Sequence, residues 1–331
     1  MSRVISTLRT RLFGISRRET TFARRGFPPC GEAQRRHLER IGENFVRGYQ
    51  AALTWDVTPV LVDALESVES EFRGFAYEGA AMARALLDAL TPWRRDRMEC
   101  FLAGAGDAHV YMIHVGVGFA LARLKKRVEP TMRELHPLYR WLVVDGYGFH
   151  EGFFRWRESF EQQRVPDRIT GYARRVFDQG LGRALWFVGG ADARSITERI
   201  GAFSRERRAD LWSGIGLASA YAGGMERADL EALRAAAGDR LPQLLQGAAF
   251  AAKARQRAGN LTPHTELACR IFANRSAEEA AGLTDEALAA LPSNGSGESY
   301  ETWRQRVAAS LIDEKTSVAN KNGDLRLTNK C

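Results

Sequence analysis

The 331-residue sequence predicts an all-α fold. Alanine, leucine, arginine and glutamate dominate it, and its apolar residues recur at helical spacing rather than in alternation. Three Thr-Pro pairs, Thr58-Pro59, Thr91-Pro92 and Thr262-Pro263, each place a capping hydroxyl before a proline suited to the first helical position. Strand signals are poor.

The elements follow in order. Ile5, Leu8, Leu12 and Ile15 fall on one face of a short amphipathic helix. Residues 1–25 carry seven arginines against Glu19 alone, so most of the net charge of +8 sits in this N-terminal arm. The arm touches an anionic membrane surface, resembles a transit peptide, or docks its apolar stripe on the body of the protein; Phe22 and Phe27 as anchors favour docking. A stripe of Leu38, Ile41, Phe45 and Tyr49 gives the next helix, and Leu61, Leu65, Val68 and Phe72 another. Met82, Leu86 and Leu90 give a third. Phe101 to Ala122 is long enough to span a bilayer, but Asp107, His109, His114 and several glycines argue for a buried central helix or for two helices broken at Gly104–Gly106. Near the end, Ser276-Ala-Glu-Glu279 reads as a capping box. A Gly/Ser loop from Ser293 to Ser299 precedes a helix through Trp303, Val307 and Leu311, and a polar tail follows.

Ordered landmarks also recur along the chain at an offset of about 110 residues, which suggests two copies of one helical unit. Gly79, the Arg94–Glu99 run and Gly104-Ala-Gly106 parallel Gly190, Arg205–Asp210 and Gly214-Ile-Gly216. Leu135-His-Pro137 leading to Gly146 and Phe149 parallels Leu241-Pro242 leading to Gly247 and Phe250. The expected organisation is a basic arm (1–30), two packed pseudo-repeated helical halves (31–160 and 161–312) and a disordered tail (313–331). Chance similarity between Ala/Arg-rich helices is the alternative.

Cys30, Cys100, Cys269 and Cys331 are widely spaced and form no CxxC pair, which argues against a zinc site or a disulfide framework and fits a reducing cytoplasm. No phosphate-cradling loop, dinucleotide fingerprint or Ser-His-Asp pattern is present. Gly116-Val-Gly118 lacks the third glycine and the preceding strand. The basic charge does not continue into a nucleic-acid-binding module. No cofactor, metal or nucleic-acid partner is therefore expected.

The segment from Tyr139 to Trp156, YRWLVVDGYGFHEGFFRW, is the densest in chemistry. Its glycines cost helix stability unless the backbone turns there or approaches something closely. Asp145 and His150 are candidate general acid–base residues, since a histidine near neutral pKa passes protons and burial can raise a carboxyl. Tyr147, Phe149, Phe153, Phe154, Trp156 and Trp141 would form an apolar wall against the substrate. Asp107, His109, His114 and Glu151 are secondary candidates. Opposite Asp145–His150 the second half reads Gln246-Gly-Ala-Ala-Phe-Ala251, so the Asp, Tyr and His are additions that packing does not demand. In the structural alternative, Asp145 caps a helix starting at Gly146 and the aromatics fill core.

TTFARRGF (Thr20 to Phe27), IGENFVRGYQAAL (Ile41 to Leu53) and above all DGYGFHEGFF (Asp145 to Phe154) resemble the UnbL-type family. That is a bacterial family of unassigned biochemical function, often encoded beside enediyne polyketide synthases. The resemblance runs from about residue 10 to 312 and excludes the tail. It implies a role in making or maturing a polyene-derived enediyne or a related specialised metabolite. Taken with Asp145, His150 and the aromatic wall, the expectation is a cytoplasmic accessory enzyme of such polyketide or related natural-product biosynthesis, moving a proton on a long apolar conjugated substrate. The resemblance supplies no established catalytic residues. The alternative is a non-catalytic helical protein that sequesters a polyene or docks on the synthase.

Overall fold

The computed structural model describes residues 3–55, 59–91, 93, 96–289, 291 and 296–312. These form α-helices, four short 3₁₀ or π turns and no strand. The first half contains α1 (Arg3–Phe13), α2 (Phe22–Arg25), α3 (Glu32–Thr54), α4 (Pro59–Glu66), α5 (Ser70–Leu90), α6 (Arg97–Leu102), α7 (Val110–Arg123), α8 (Glu129–Arg133) and α9 (Trp141–Phe154). The second contains α10 (Ala173–Val188), α11 (Ala193–Gly201), α12 (Arg205–Ala222), α13 (Arg227–Ala237), α14 (Leu241–Arg257), α15 (Pro263–Ala273), α16 (Ala277–Ala289) and α17 (Gly297–Leu311).

Local chemistry explains most boundaries. Thr262 caps α15 by accepting from Thr265 N, and Ser276 and Glu279 bond reciprocally at 3.1 and 2.6 Å, completing the capping box. The run from Phe101 to Ala122 breaks as expected, with α6 ending before Gly104 and α7 starting at Val110. No described helix is long and apolar enough to cross a membrane. Thr91 closes a helix instead of opening one. Its hydroxyl donates to Leu87 O at 2.6 Å, satisfying a C-terminal carbonyl of α5. The stripe Leu61–Phe72 belongs to two helices, because the chain turns between Glu66 and Ser70. Thr58 and the tail beyond residue 312 lie outside the described residues.

Seven helices, α3, α5, α7, α9, α10, α12 and α14, pack in chain order, each against its predecessor and successor. They approach so closely that only glycine fits at the crossings. A methyl group on Gly118 would strike Val143 O, and one on Gly146 would strike Val115 O. Those two approaches run in opposite senses along the pair, so α7 and α9 are antiparallel. The same reciprocity joins Gly148 to Phe177 O and Gly180 to Asp145 O, then Gly182 to Leu211 O and Gly214 to Gln179 O. Gly216 with Leu244 O and Gly247 with Ser213 O extend it to α14. Each glycine costs about 1 kcal/mol in helix propensity relative to alanine, so the backbone-to-backbone packing must return more than that.

The glycines come as Gly-x-Gly pairs at 116/118, 146/148, 180/182 and 214/216, at intervals of 30 to 34 residues. Two residues advance about 200° around a helix, so the first glycine faces the preceding helix and the second the following one. This shorter period does not confirm the expected duplication at about 110 residues. Gly79 lies inside α5, whereas Gly190 lies in a turn at φ 65°. Gly104 and Gly106 likewise lie in the turn after α6, not at a crossing as Gly214 and Gly216 do. The last landmark does fall on equivalent positions: Gly146 and Gly247 both meet a preceding helix, and Phe149 and Phe250 both follow at the same spacing.

The series closes on itself. Tyr221 of α12 packs on Phe75 of α5 with ring centroids 5.2 Å apart, Arg255 of α14 donates to Glu71 O at 3.0 Å, and His37 Nε2 lies 2.6 Å from Ala222 O. Helices α15, α16 and α17 cover α12 and α14, while residues 13–27 cover α3 and α9. In the arm, Phe13 and Ile15 pack on the body but Leu8 and Leu12 are 55% and 62% exposed. The apolar stripe therefore does not dock as a whole.

Because Gly180 meets backbone and Gly282 meets nothing within 4 Å, alanine should act oppositely at the two sites. Gly180→Ala is expected to destabilise by about 3 kcal/mol through overpacking. Gly282→Ala, inside α16, is expected to stabilise by about 1 kcal/mol. Urea denaturation midpoints check both, and equal effects would refute the crossing role.

Candidate functional site

The residue immediately before each first glycine points toward the middle of the closed series. In chain order these are Glu78, Val115, Asp145, Gln179, Ser213 and Gln246, and all are buried. All but one are polar, and they join into a buried network. Gln179 Nε2 donates to Asp145 Oδ2 at 2.8 Å, and Ser213 Oγ donates to Gln246 Oε1 at 2.7 Å. One helical turn beyond Gln179, Arg183 donates to Asp145 Oδ1 and places its Nη2 3.6 Å from Glu78 Oε1. From α17, Arg304 reaches in to Gln246 and, at 2.7 Å, to Asp210. A buried guanidinium between two carboxylates is stable only with such close pairing.

Arg183 also separates two apolar crevices and lines both. On the Asp145 side, Tyr111, Leu142, Leu217, Tyr221, Phe250 and Trp303 enclose about 40 Å³, with Lys253 beside them. The fully buried Tyr221 hydroxyl there has no hydrogen-bond partner. On the Glu78 side, Phe45, Phe75, Phe119, Phe149, Phe153 and Phe187 enclose about 50 Å³, with Ile15 and Phe154 among its half-buried lining. Each holds roughly three or four water-sized spheres, so a longer chain requires side chains to swing aside. Arg183 lies 5.1 Å from the Phe149 ring centroid, adding a cation–π contact.

Glu78 is the perturbed group of this centre. Burial pushes its carboxyl up to about 7; Arg183 opposes that rise and Asp145 reinforces it. A carboxyl that exchanges its proton near neutrality, beside a fixed cation and an aromatic wall, has the properties of a general acid–base.

The expected site residues divide between this centre and other places. Asp145 is in the network, and Phe149, Phe153 and Phe154 line the Glu78 crevice. Asp145 does not cap a helix at Gly146, because α9 starts at Trp141 and runs unbroken through all three glycines. His150 is not brought to Asp145. Five residues on, it faces a separate crevice with Arg123 and Lys125, and its Nδ1 lies 3.4 Å from Glu151 Oε1. Burial lowers the pKa of His150, with Glu151 opposing that shift. Glu151 also pairs with Arg155 at 3.5 Å. Trp141 packs edge-on to Tyr172 at 5.1 Å, and Trp156 donates to Arg25 O at 3.0 Å. Tyr147 is buried in the core, so these three aromatics line neither crevice.

The secondary candidates are also dispersed. Asp107 is exposed and pairs with Arg257 at 2.9 Å, whereas His109 stacks on Tyr77 with centroids 4.0 Å apart. His114 places Nδ1 2.7 Å from Val110 O. Burial drives both histidines down to about 4, so they are neutral at pH 7. Among the described residues no group of three His, Cys, Asp or Glu could hold a metal ion.

Glu78, Arg183, Gln179, Phe119 and Phe187 are the residues that motif reading missed. The signal for Glu78 and Gln179 is their place before a crossing glycine, and for Phe119 and Arg183 a place four residues beyond such a position; Phe187 carries no such signal.

With this geometry in view, the comparisons place the chain. A family model described as "Protein of unknown function (DUF1702)" matches residues 4–311, and the chain belongs to that family. No curated protein and no solved structure matches it.

Glu78 generates a pH prediction with a definite sign. In the folded state it keeps its proton up to about pH 7, while in the unfolded chain it ionises near 4.5. Rising pH across that window therefore favours the unfolded chain of the parent protein. Glu78→Gln removes this penalty, so relative to the parent it should gain stability as pH rises from about 4.5 to about 7. Paired urea titrations across the window check it, and a pH-independent difference would show an ordinary carboxyl.

Proposed function

We propose that this protein serves the biosynthesis of an enediyne or polyene-type polyketide, holding a slender apolar conjugated chain and moving a proton along it. The observation that carries this reading is Glu78, a buried carboxyl with its pKa near 7, set in a crevice walled by phenylalanines. The likeness of Asp145–Phe154 to the UnbL-type family supplies the biosynthetic context. In the proposed step the Glu78 carboxylate takes a proton from a methylene flanked by double bonds. The electron pair shifts along the conjugated system, and the carboxyl returns the proton at the far carbon. Arg183 stabilises the charge that develops, and Asp145 holds Arg183 in place. Nothing is consumed, so the reaction class is isomerisation, or cyclisation where the chain folds back on itself. Such a protein would work beside the polyketide synthase that supplies the chain.

A second reading is favoured by one specific observation. Glu78 and Asp145 occupy the same repeat position as Gln179, Ser213 and Gln246, which serve helix-to-helix bonding. On that reading the triad is structural, and the protein binds or sequesters the chain without chemistry.

The two separate in a producing host. Glu78→Gln keeps the size and hydrogen-bonding capacity of the side chain but removes the titrating proton. Proton transfer predicts a soluble variant and loss of the downstream metabolite by about a hundredfold or more, the typical contribution of a general acid–base. A binder predicts an unchanged metabolite profile for Glu78→Gln, and a fall when Phe149 or Phe153 is replaced by leucine. If all of these variants are soluble and leave the profile unaltered, both readings fail.

A further inference from the structure

We infer that α1 and the turn after it form a docking surface for an anionic lipid membrane. Helix α1 is held by its C-terminal end. Phe13 O accepts from Tyr49 Oη at 2.9 Å and from Arg123 Nη2 at 3.3 Å, and Gln50 Nε2 donates to Ile15 O at 2.8 Å. With that end fixed, Phe13 and Ile15 supply the apolar contact to the body. The opposite face carries Leu8, Arg11 and Leu12, at i, i+3 and i+4, and all three are exposed. Among the described residues, nothing packs on these two exposed leucines that would explain them.

Charge identifies the partner. Arg11, Arg17 and Arg18 are exposed and make no ion pair among the described residues. Glu19, the acidic residue of this segment, is already engaged by Arg24 and Arg25. The crevice behind Gly14, Ile15 and Ser16 is rimmed by Arg123 and Lys125, which extend the positive surface, while Arg155 on the same rim is paired with Glu151. Leucines between unneutralised arginines match a headgroup layer, where apolar side chains enter the acyl boundary and guanidiniums remain at the phosphates. A protein partner would need acidic and apolar groups in one fixed register; an anionic bilayer supplies both without one. The position also has a consequence for access, since Ile15 and Thr20, just beyond α1, line the Glu78 crevice. Docking here would bring that crevice toward lipid.

Co-sedimentation of the full chain with vesicles tests the inference. One set contains phosphatidylcholine alone and the other contains phosphatidylglycerol as well. The parent should sediment with the anionic set, stay in solution with the neutral set, and dissociate as salt rises. Two variants alter exposed side chains only: Leu8→Asp with Leu12→Asp, and Arg11→Glu with Arg17→Glu and Arg18→Glu. Each should lower vesicle affinity by at least about tenfold while the melting temperature holds. Three results would overturn the inference: a parent that ignores anionic vesicles, equal binding to both sets, or leucine variants that bind like the parent. A dimer in solution that the leucine variant dissolves, without vesicle binding, would assign the face to a second copy instead.

Discussion

The fold depends on backbone touching backbone. Along seven successive helices, a glycine stands wherever a helix meets its neighbour, and at each crossing a carbonyl oxygen occupies the space a side chain would need. Interaxial distance in helix packing is set by the side chains at the contact, so removing them draws the helices together. The two-residue spacing of each pair then fixes which way the next helix goes, because the second glycine faces away from the first. Serial packing, antiparallel direction and the inward position of the intervening residues follow from that constraint.

The polar centre is a product of the same geometry. A residue just before the first glycine has its side chain between two tightly packed neighbours, directed inward and away from bulk solvent. Glu78, Asp145, Gln179, Ser213 and Gln246 are tolerated there because they find one another and Arg183. Truncating one partner would strand the rest, which is why buried networks of this kind hold their geometry. The apolar crevices on either side lie where the inner faces carry phenylalanine rather than a polar group.

Much of this architecture was legible in the sequence. Helical spacing gave the all-α class, and the stripe through Leu38, Ile41 and Tyr49 is buried in α3 as read. The capping box and the Thr262 cap were correct because they are local, needing only adjacent residues. In the Asp145–Phe154 segment the glycines read as either turn or close approach, and close approach is what Gly146 and Gly148 make. Pairing Asp145 with His150 failed because five residues rotate a helix by about 140°, sending the two side chains to different sides. The 110-residue offset is not confirmed, because it pairs a glycine in a turn, Gly190, with one at a crossing, Gly79. Glu78 and Arg183 are invisible singly, since charged residues in helices usually face water; only the place of Glu78 before the crossing Gly79, and of Arg183 four residues beyond Gln179, marks them as interior.

The Gly-x-Gly device divides each central helix into faces with separate duties. Two are committed to neighbours and tolerate almost nothing, whereas the inward face is free of any role in spacing. An evolving lineage could therefore rewrite the interior, so long as bonded partners change together, without disturbing the arrangement around it. Such a scaffold would keep its outline while its contents drift, so two descendants could look alike in backbone and accept unrelated molecules.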